Sequence, residues 1–239
     1  MMKFAKAIIL STGLASLTMP ALADEKTEHY IATNADMALK ALNNSSLSSE
    51  DRRAEFNRLM TKFTDLDYIV LTVLDKYYSR FTKDELKEFT EAFHQYALAT
   101  YEAELDKYRG NAIEVTSSKD YPPSAKTKTF SDVTSVIDLP NTDRDLTVIW
   151  RVVEFNPKSR YAEVFGSGFK VTDVALVTDG GTLWLAQNQK EQFQALLGRN
   201  NGDAKELIAK VREMTERLNE TAAQKRAALN SAEPDTNKG

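Results

Sequence analysis

The chain has 239 residues, a formal charge of −4 and no cysteine. The missing thiols exclude disulfides, thiol catalysis, zinc–thiolate sites and iron–sulfur clusters. No face or tail is strongly basic, which argues against nucleic acid, where phosphate neutralisation supplies most of the affinity, and against permanent docking on anionic lipid.

Lys3 and Lys6 form a short positive region, and Ala7 to Met19 is mostly apolar. Pro20 breaks any helix just before Ala21-Leu22-Ala23, a small-x-small cleavage triplet. The apolar run is shorter than the roughly 20 residues that span a bilayer. Residues 1–23 therefore read as an export signal cleaved after Ala23. Cleavage removes two lysines and no acid, leaving 29 basic against 35 acidic residues and shifting the charge from −4 to −6. Residues 24–219 read as one α+β domain, since no repeat or flexible linker divides them, and 220–239 as a polar tail.

Helices come first. A helix between Tyr30 and Leu42 is the weakest of them. Ser48 with Asp51 resembles a capping box, and Phe56, Leu59, Met60 and Phe63 follow at i, i+3, i+4 and i+7. Asp65 starts another helix, with Leu66, Ile69, Val70, Val73, Leu74 and Tyr77 on one face. Thr82 and Glu85 open a long one striped by Leu86, Phe89, Phe93, Ala97 and Tyr101, then Leu105 and Tyr108, and Gly110 closes it.

Beyond Gly110 the apolar period drops from 3.6 to 2. Ile113 and Val115 alternate with polar neighbours, and Val133 to Leu139 reads as a strand ended by Pro140. An Asn141-Thr142-Asp143 turn leads to Leu146–Phe155, the clearest strand. Tyr161–Phe165, Phe169–Val177 and Leu183–Ala186 read as further strands, separated by Gly166-Ser167-Gly168 and Asp179-Gly180-Gly181. Short turns make the set antiparallel. Asn188 with Glu191 then caps a helix carrying Phe193, Leu196 and Leu197. Asp203 with Glu206 opens a last one with Leu207, Ile208, Val211 and Leu218. Beyond Asn219 the polar, Ala-rich chain reads as frayed. The pattern predicts α+β: a curved antiparallel sheet with helices packed on its concave face, enclosing an apolar ligand pocket.

Catalytic constellations are sparse. The two histidines are His29 and His94, and His94 lies inside a helix beside Phe93, poorly placed to serve a Ser-His-Asp triad. Glu91 and His94 make one Glu-x-x-His, whereas di-iron bundles need two such motifs and two further carboxylates. Gly166-Ser167-Gly168 precedes a strand, so it sets no phosphate on a helix N-terminus. The carboxylates sit among lysines on helix faces, and a glycosidase pair stays open until coordinates place them. Apolar and aromatic surface, by contrast, faces inward from both layers. By periodicity alone that surface reads as a close-packed core.

The stretch from Phe63 through Asp65, Tyr68, Leu74, Tyr78, Leu86 and Phe89 to Phe93-His94-Gln95-Tyr96, continuing to Tyr101, Leu105 and Tyr108-Arg109-Gly110, resembles the MlaC family, also known as toluene-tolerance auxiliary proteins. A second block supports the likeness: Trp150-Arg151-Val152, then Phe169-Lys170-Val171-Thr172-Asp173-Val174, then Phe193, Leu196-Leu197 and Leu207-Ile208. Together they span roughly Ser45 to Met214. This chain departs from the pattern at Asp75, where members usually have glycine, and at Phe169, usually tryptophan. It also departs at Asp179-Gly180-Gly181-Thr182, two residues longer than usual, and in an extended turn before Phe169.

The resemblance implies a non-enzymatic periplasmic carrier of phospholipid in a Gram-negative cell. It implies acyl chains between sheet and helices, the headgroup near solvent, and no cofactor or metal. The partners it implies are an outer-membrane lipoprotein–porin complex and an inner-membrane ABC transporter complex. Facing parity and the resemblance together select Tyr77, Phe93, Tyr101, Val148, Trp150, Val171 and Leu183 as lipid-binding residues. A carrier of another lipid such as a hopanoid, a periplasmic chaperone or adaptor, and a hydrolase are the rival readings.

Overall fold

A computed structural model describes residues 25–44, 46–105, 113–138 and 145–232, without the side chains of residues 101, 102, 104, 105 and 225–232. The expected export signal, Gly110 and the expected Asn141–Asp143 turn lie outside the described residues.

Four helices build the first half. Helix α1, Glu25–Asn43, is longer than the weak pattern suggested, and Ile31, Ala35, Ala38 and Leu42 make a narrow apolar stripe that is buried. Helix α2, Ser49–Phe63, starts at the predicted cap, with Asp51 N donating to Ser48 Oγ at 3.1 Å. Helix α3, Leu66–Leu74, is capped by Asp65, whose carboxylate accepts from Tyr68 N at 2.9 Å. A 3₁₀ segment, Asp75–Arg80, leads to α4, Lys83–Leu105. The predicted box opens α4: Glu85 N donates to Thr82 Oγ1 at 3.2 Å and Thr82 N to Glu85 Oε2 at 2.9 Å. These caps satisfy amides that a helix start otherwise leaves orphaned, and the one opening α4 is reciprocal.

Strands β1 (Ile113–Asp120), β2 (Thr127–Asp138), β3 (Asp145–Phe155), β4 (Phe169–Thr178) and β5 (Gly181–Trp184) form an antiparallel meander in chain order. Irregular pairing at Val115/Ser117, Thr127/Thr129 and Arg151/Val152 bends the strands, as bulges do, and the sheet is open and curled. One face carries Val133, Ile137, Leu146, Val148, Trp150, Val152, Val171 and Val174, which join the residues of α1 to α4 in one core. Its single buried indole is satisfied: Trp150 Nε1 donates to Ser135 Oγ at 2.8 Å.

Three expectations change. Tyr161–Phe165 is helix α5, Arg160–Phe165, rather than a strand. Ser159 caps it, Gly166 closes it at φ 84°, and the i, i+4 spacing puts Tyr161 and Phe165 together against Phe155, with ring centres 5.8 Å from it. Helix α6, Leu185–Arg199, starts three residues before the predicted Asn188 cap, and the strand before it, Gly181–Trp184, lies two residues earlier than predicted. A carboxylate from a distant strand caps it instead, with Ala186 N donating to Asp173 Oδ1 at 2.8 Å. Helix α7, Ala204–Ala232, runs past Asn219, where the sequence read as frayed. Its alanine-rich end has high helix propensity even without an apolar stripe. No described helix is long and apolar enough to cross a membrane.

Candidate functional site

The two faces of the sheet differ. Trp150 and its parity partners are covered by helices, whereas the face carrying Ile149, Arg151, Val153 and Phe155 is covered in part by α5, by α3 and by the β1–β2 loop. Between these covers lies a cavity of about 420 Å³, the largest of the described cavities. Tyr68 and Thr72 of α3 wall it on one side, and Phe130, Arg151 and Val153 of the sheet on another. Pro122, Ser124 and Lys126 of the loop and Asp173 and Gln187 complete it.

Local chemistry positions each wall. The Asp65 cap fixes the first turn of α3 and so aims Tyr68, whose ring meets Phe155 edge-on at 5.2 Å and Phe165 at 5.5 Å. Burial pushes the Asp65 carboxyl above its ordinary pKa. Arg151 spans the strand ladder to its register partner Asp132, with Nε and Nη2 at 2.9 and 3.0 Å from the carboxylate oxygens. Its guanidinium also stacks 3.9 Å from the Trp184 ring centre and 5.3 Å from that of Phe130. The Tyr121 hydroxyl donates to Asp132 at 2.9 Å, completing the network.

Asp173 is 4% exposed, and burial raises its pKa to about 6 against the pull of its amide donors and Arg151. Two amides, Val174 N and Ala186 N, each donate to Oδ1 at 2.8 Å, so this carboxylate ties β4 to the start of α6. At the opposite rim the Lys126 ammonium sits between aromatic rings, 4.4 Å from the Tyr68 centre and 4.5 Å from that of Tyr161, and donates to the Tyr68 hydroxyl. The site therefore has apolar and aromatic walls and a few fixed polar groups, the usual make-up of a small-molecule site. Among the described residues no cluster of three or more His, Asp or Glu side chains could hold a metal ion.

The residues selected from sequence lie elsewhere. Tyr77, Phe93, Val148, Trp150 and Val171 share one core, as the parity argument expected. Within it Phe93 packs on the rings of Phe89 and Phe193 at 5.8 and 6.1 Å, and Val148 is 1% exposed. Leu183 follows the same parity, opposite Leu176, but on the edge strand it is 42% exposed. The Tyr101 side chain lies outside the described residues. His94 Nε2 on α4 lies 3.1 Å from Asp67 Oδ1 on α3.

Tyr68, Lys126, Arg151, Val153 and Asp173 were not selected. A signal existed in β3, where Val153 and Phe155 are apolar on the parity assigned to Arg151 and solvent; a strand apolar on both parities is covered on both faces.

The family model described as MlaC protein matches residues 32–213. No curated protein matches the chain. Among solved structures, the fold is similar to that of a phospholipid-binding protein from Ralstonia solanacearum, determined in complex with a phospholipid. The TM-score is 0.60 at 17% identity, over 80% of this chain and 97% of that one. With the family model spanning most of its length and the fold in agreement, the chain belongs to the MlaC family.

Proposed function

We propose that the protein is a phospholipid carrier that holds acyl chains without covalent chemistry in the cavity behind the sheet. The observation that carries this reading is the conjunction of MlaC membership with a mostly apolar cavity of about 420 Å³. The likeness to a phospholipid-binding protein is in keeping with it.

Each buried CH₂ is worth about 0.8 kcal/mol, so a free phospholipid leaves a bilayer too rarely to supply traffic across water. A carrier needs only to match that burial, and the walls of Tyr68, Phe130 and Val153 supply part of it. The cavity sits within the range of small-molecule sites, roughly 300–1,000 Å³, and a two-chain lipid fills more than it. Loading therefore parts the cover from the sheet.

In this reading the chain is exported to the periplasm, and exchanges lipid with an outer-membrane lipoprotein–porin complex and an inner-membrane ABC transporter complex. Protein purified without detergent from its bacterial host tests the binding step. Native mass spectrometry is expected to give a mass increment of one phospholipid per chain. An apo mass alone, under conditions that preserve lipid on a control carrier, contradicts the reading.

A further inference from the structure

We infer that Lys126 is the headgroup contact of the cavity, and that it selects lipids bearing an anionic phosphate diester. The inference rests on the carrier reading above and adds the polar end of the ligand.

Lys126 is built into place. Its amide and that of Thr127 donate to Ser124 Oγ at 3.1 and 2.9 Å, and its carbonyl accepts from Asn156 N at 2.9 Å. The backbone is thus held from both sides of the rim, and the ammonium is clamped between Tyr68 and Tyr161. A cation packed against two tyrosines and bonded to the hydroxyl of one has given up part of its water.

What it lacks is a counter-ion. Among the described ion pairs none involves Lys126, whereas Arg151, on the same cavity, is neutralised by two bonds to Asp132. Arg160, whose guanidinium lies 5.5 Å from the other ring of the clamp, adds positive potential at this rim and is likewise in none of the described ion pairs. This spot stands out in a chain of net charge −4. An ammonium is a compact point charge suited to phosphate oxygens.

A free phosphate would satisfy the same chemistry. The apolar walls favour a phosphate that carries acyl chains, because Phe130, Val153 and Pro122 lie in the same cavity as the ammonium. Lys126 at the rim then places the headgroup toward solvent and the chains toward Val153.

The test presents the full chain with vesicles containing equal amounts of dioleoylphosphatidylglycerol and dioleoylglycerol, which share acyl chains and differ in the phosphate. The readout is the ratio of the two lipids captured, by native mass spectrometry. Lys126→Gln is expected to lower that ratio about tenfold, the loss of one charge-assisted contact, and Lys126→Arg to hold it within about twofold. Inorganic phosphate in millimolar excess is expected to leave the wild-type ratio unchanged. An unchanged ratio in Lys126→Gln overturns the assignment while leaving the carrier reading intact. A ratio collapsed by inorganic phosphate also overturns it, marking the ammonium as a free-anion site. Capture of neither lipid by the wild type overturns both readings. If Lys126→Gln fails to fold by circular dichroism, Lys126→Met is measured in its place, with the same two outcomes.

Discussion

Arg151 and Asp132 lie directly opposite each other on β3 and β2 and make two parallel hydrogen bonds, at 2.9 and 3.0 Å. Asp132 is buried, so its charge depends on that partner. Arg151→Met is expected to cost about 2–3 kcal/mol, less than a fully buried broken pair because the guanidinium is partly exposed. The melting temperature should fall by about 4–10 °C. Adding Asp132→Asn removes the stranded charge and should restore at least half of the loss. Thermal melts of the three variants measure this directly.

Asp173 makes stability depend on pH in a defined direction. Its folded pKa, about 6, lies above the ordinary value of 3.8, so between these the native state binds more protons than the unfolded chain. Stability contributed by this group is thus present below about pH 4 and is lost as pH rises through about 6, amounting to about 3 kcal/mol. Asp173→Asn keeps an acceptor for the amides of Val174 and Ala186 but carries no charge. Urea titrations from pH 4 to pH 8 are expected to show a flatter profile for the variant over that window than for the wild type.

Asp75 stands where members of the family usually have glycine, and its backbone sits at φ 45° and ψ −115°. That region is strained for any residue with a Cβ, at about 1–3 kcal/mol. The side chain compensates in part by pairing with Lys190 at 2.8 Å, although an exposed pair is worth about 0–1 kcal/mol. Asp75→Gly should therefore stabilise the fold by about 1 kcal/mol and raise the melting temperature by about 2–4 °C. Asp75→Ala keeps the strain, loses the pair and should melt lower than the wild type.

Val148 faces the helices in the core, 1% exposed. A carboxylate there has no partner, and Val148→Glu should cost several kcal/mol, enough to unfold a marginal domain. Circular dichroism should show the loss of a cooperative transition. A folded Val148→Glu variant would mean that this face opens and admits water.

Much of the architecture follows from periodicity. Phe56 to Phe63 and Leu86 to Ala97 are helical because their apolar residues recur with the helical period, and the boxes at Ser48 and Thr82 fix where two helices begin. Leu146 to Phe155 is long, β-branched and bounded by turns. Local pattern failed where a distant group decided the outcome. Helix α6 begins at Leu185 because Asp173, on another strand, satisfies its first amides. Tyr161 to Phe165 turn helical because both rings find Phe155.

The site was harder to read than the fold for a related reason. Parity separates the two faces of β3 but not a filled face from a hollow one, since hollowness depends on what α3, α5 and the loop around Lys126 leave uncovered. Arg151 looked like a solvent-facing charge; its Asp132 partner lies on a neighbouring strand 19 residues away.

If a phospholipid occupies the cavity behind the sheet, Val153→Glu should lose it. Val153 is buried on the Arg151 face and lines the cavity, so a carboxylate there meets the acyl chains and draws water into the cavity. Native mass spectrometry of detergent-free protein is expected to show a folded variant without the bound-lipid mass that the wild type carries. A folded Val153→Glu variant with wild-type lipid content would contradict the account.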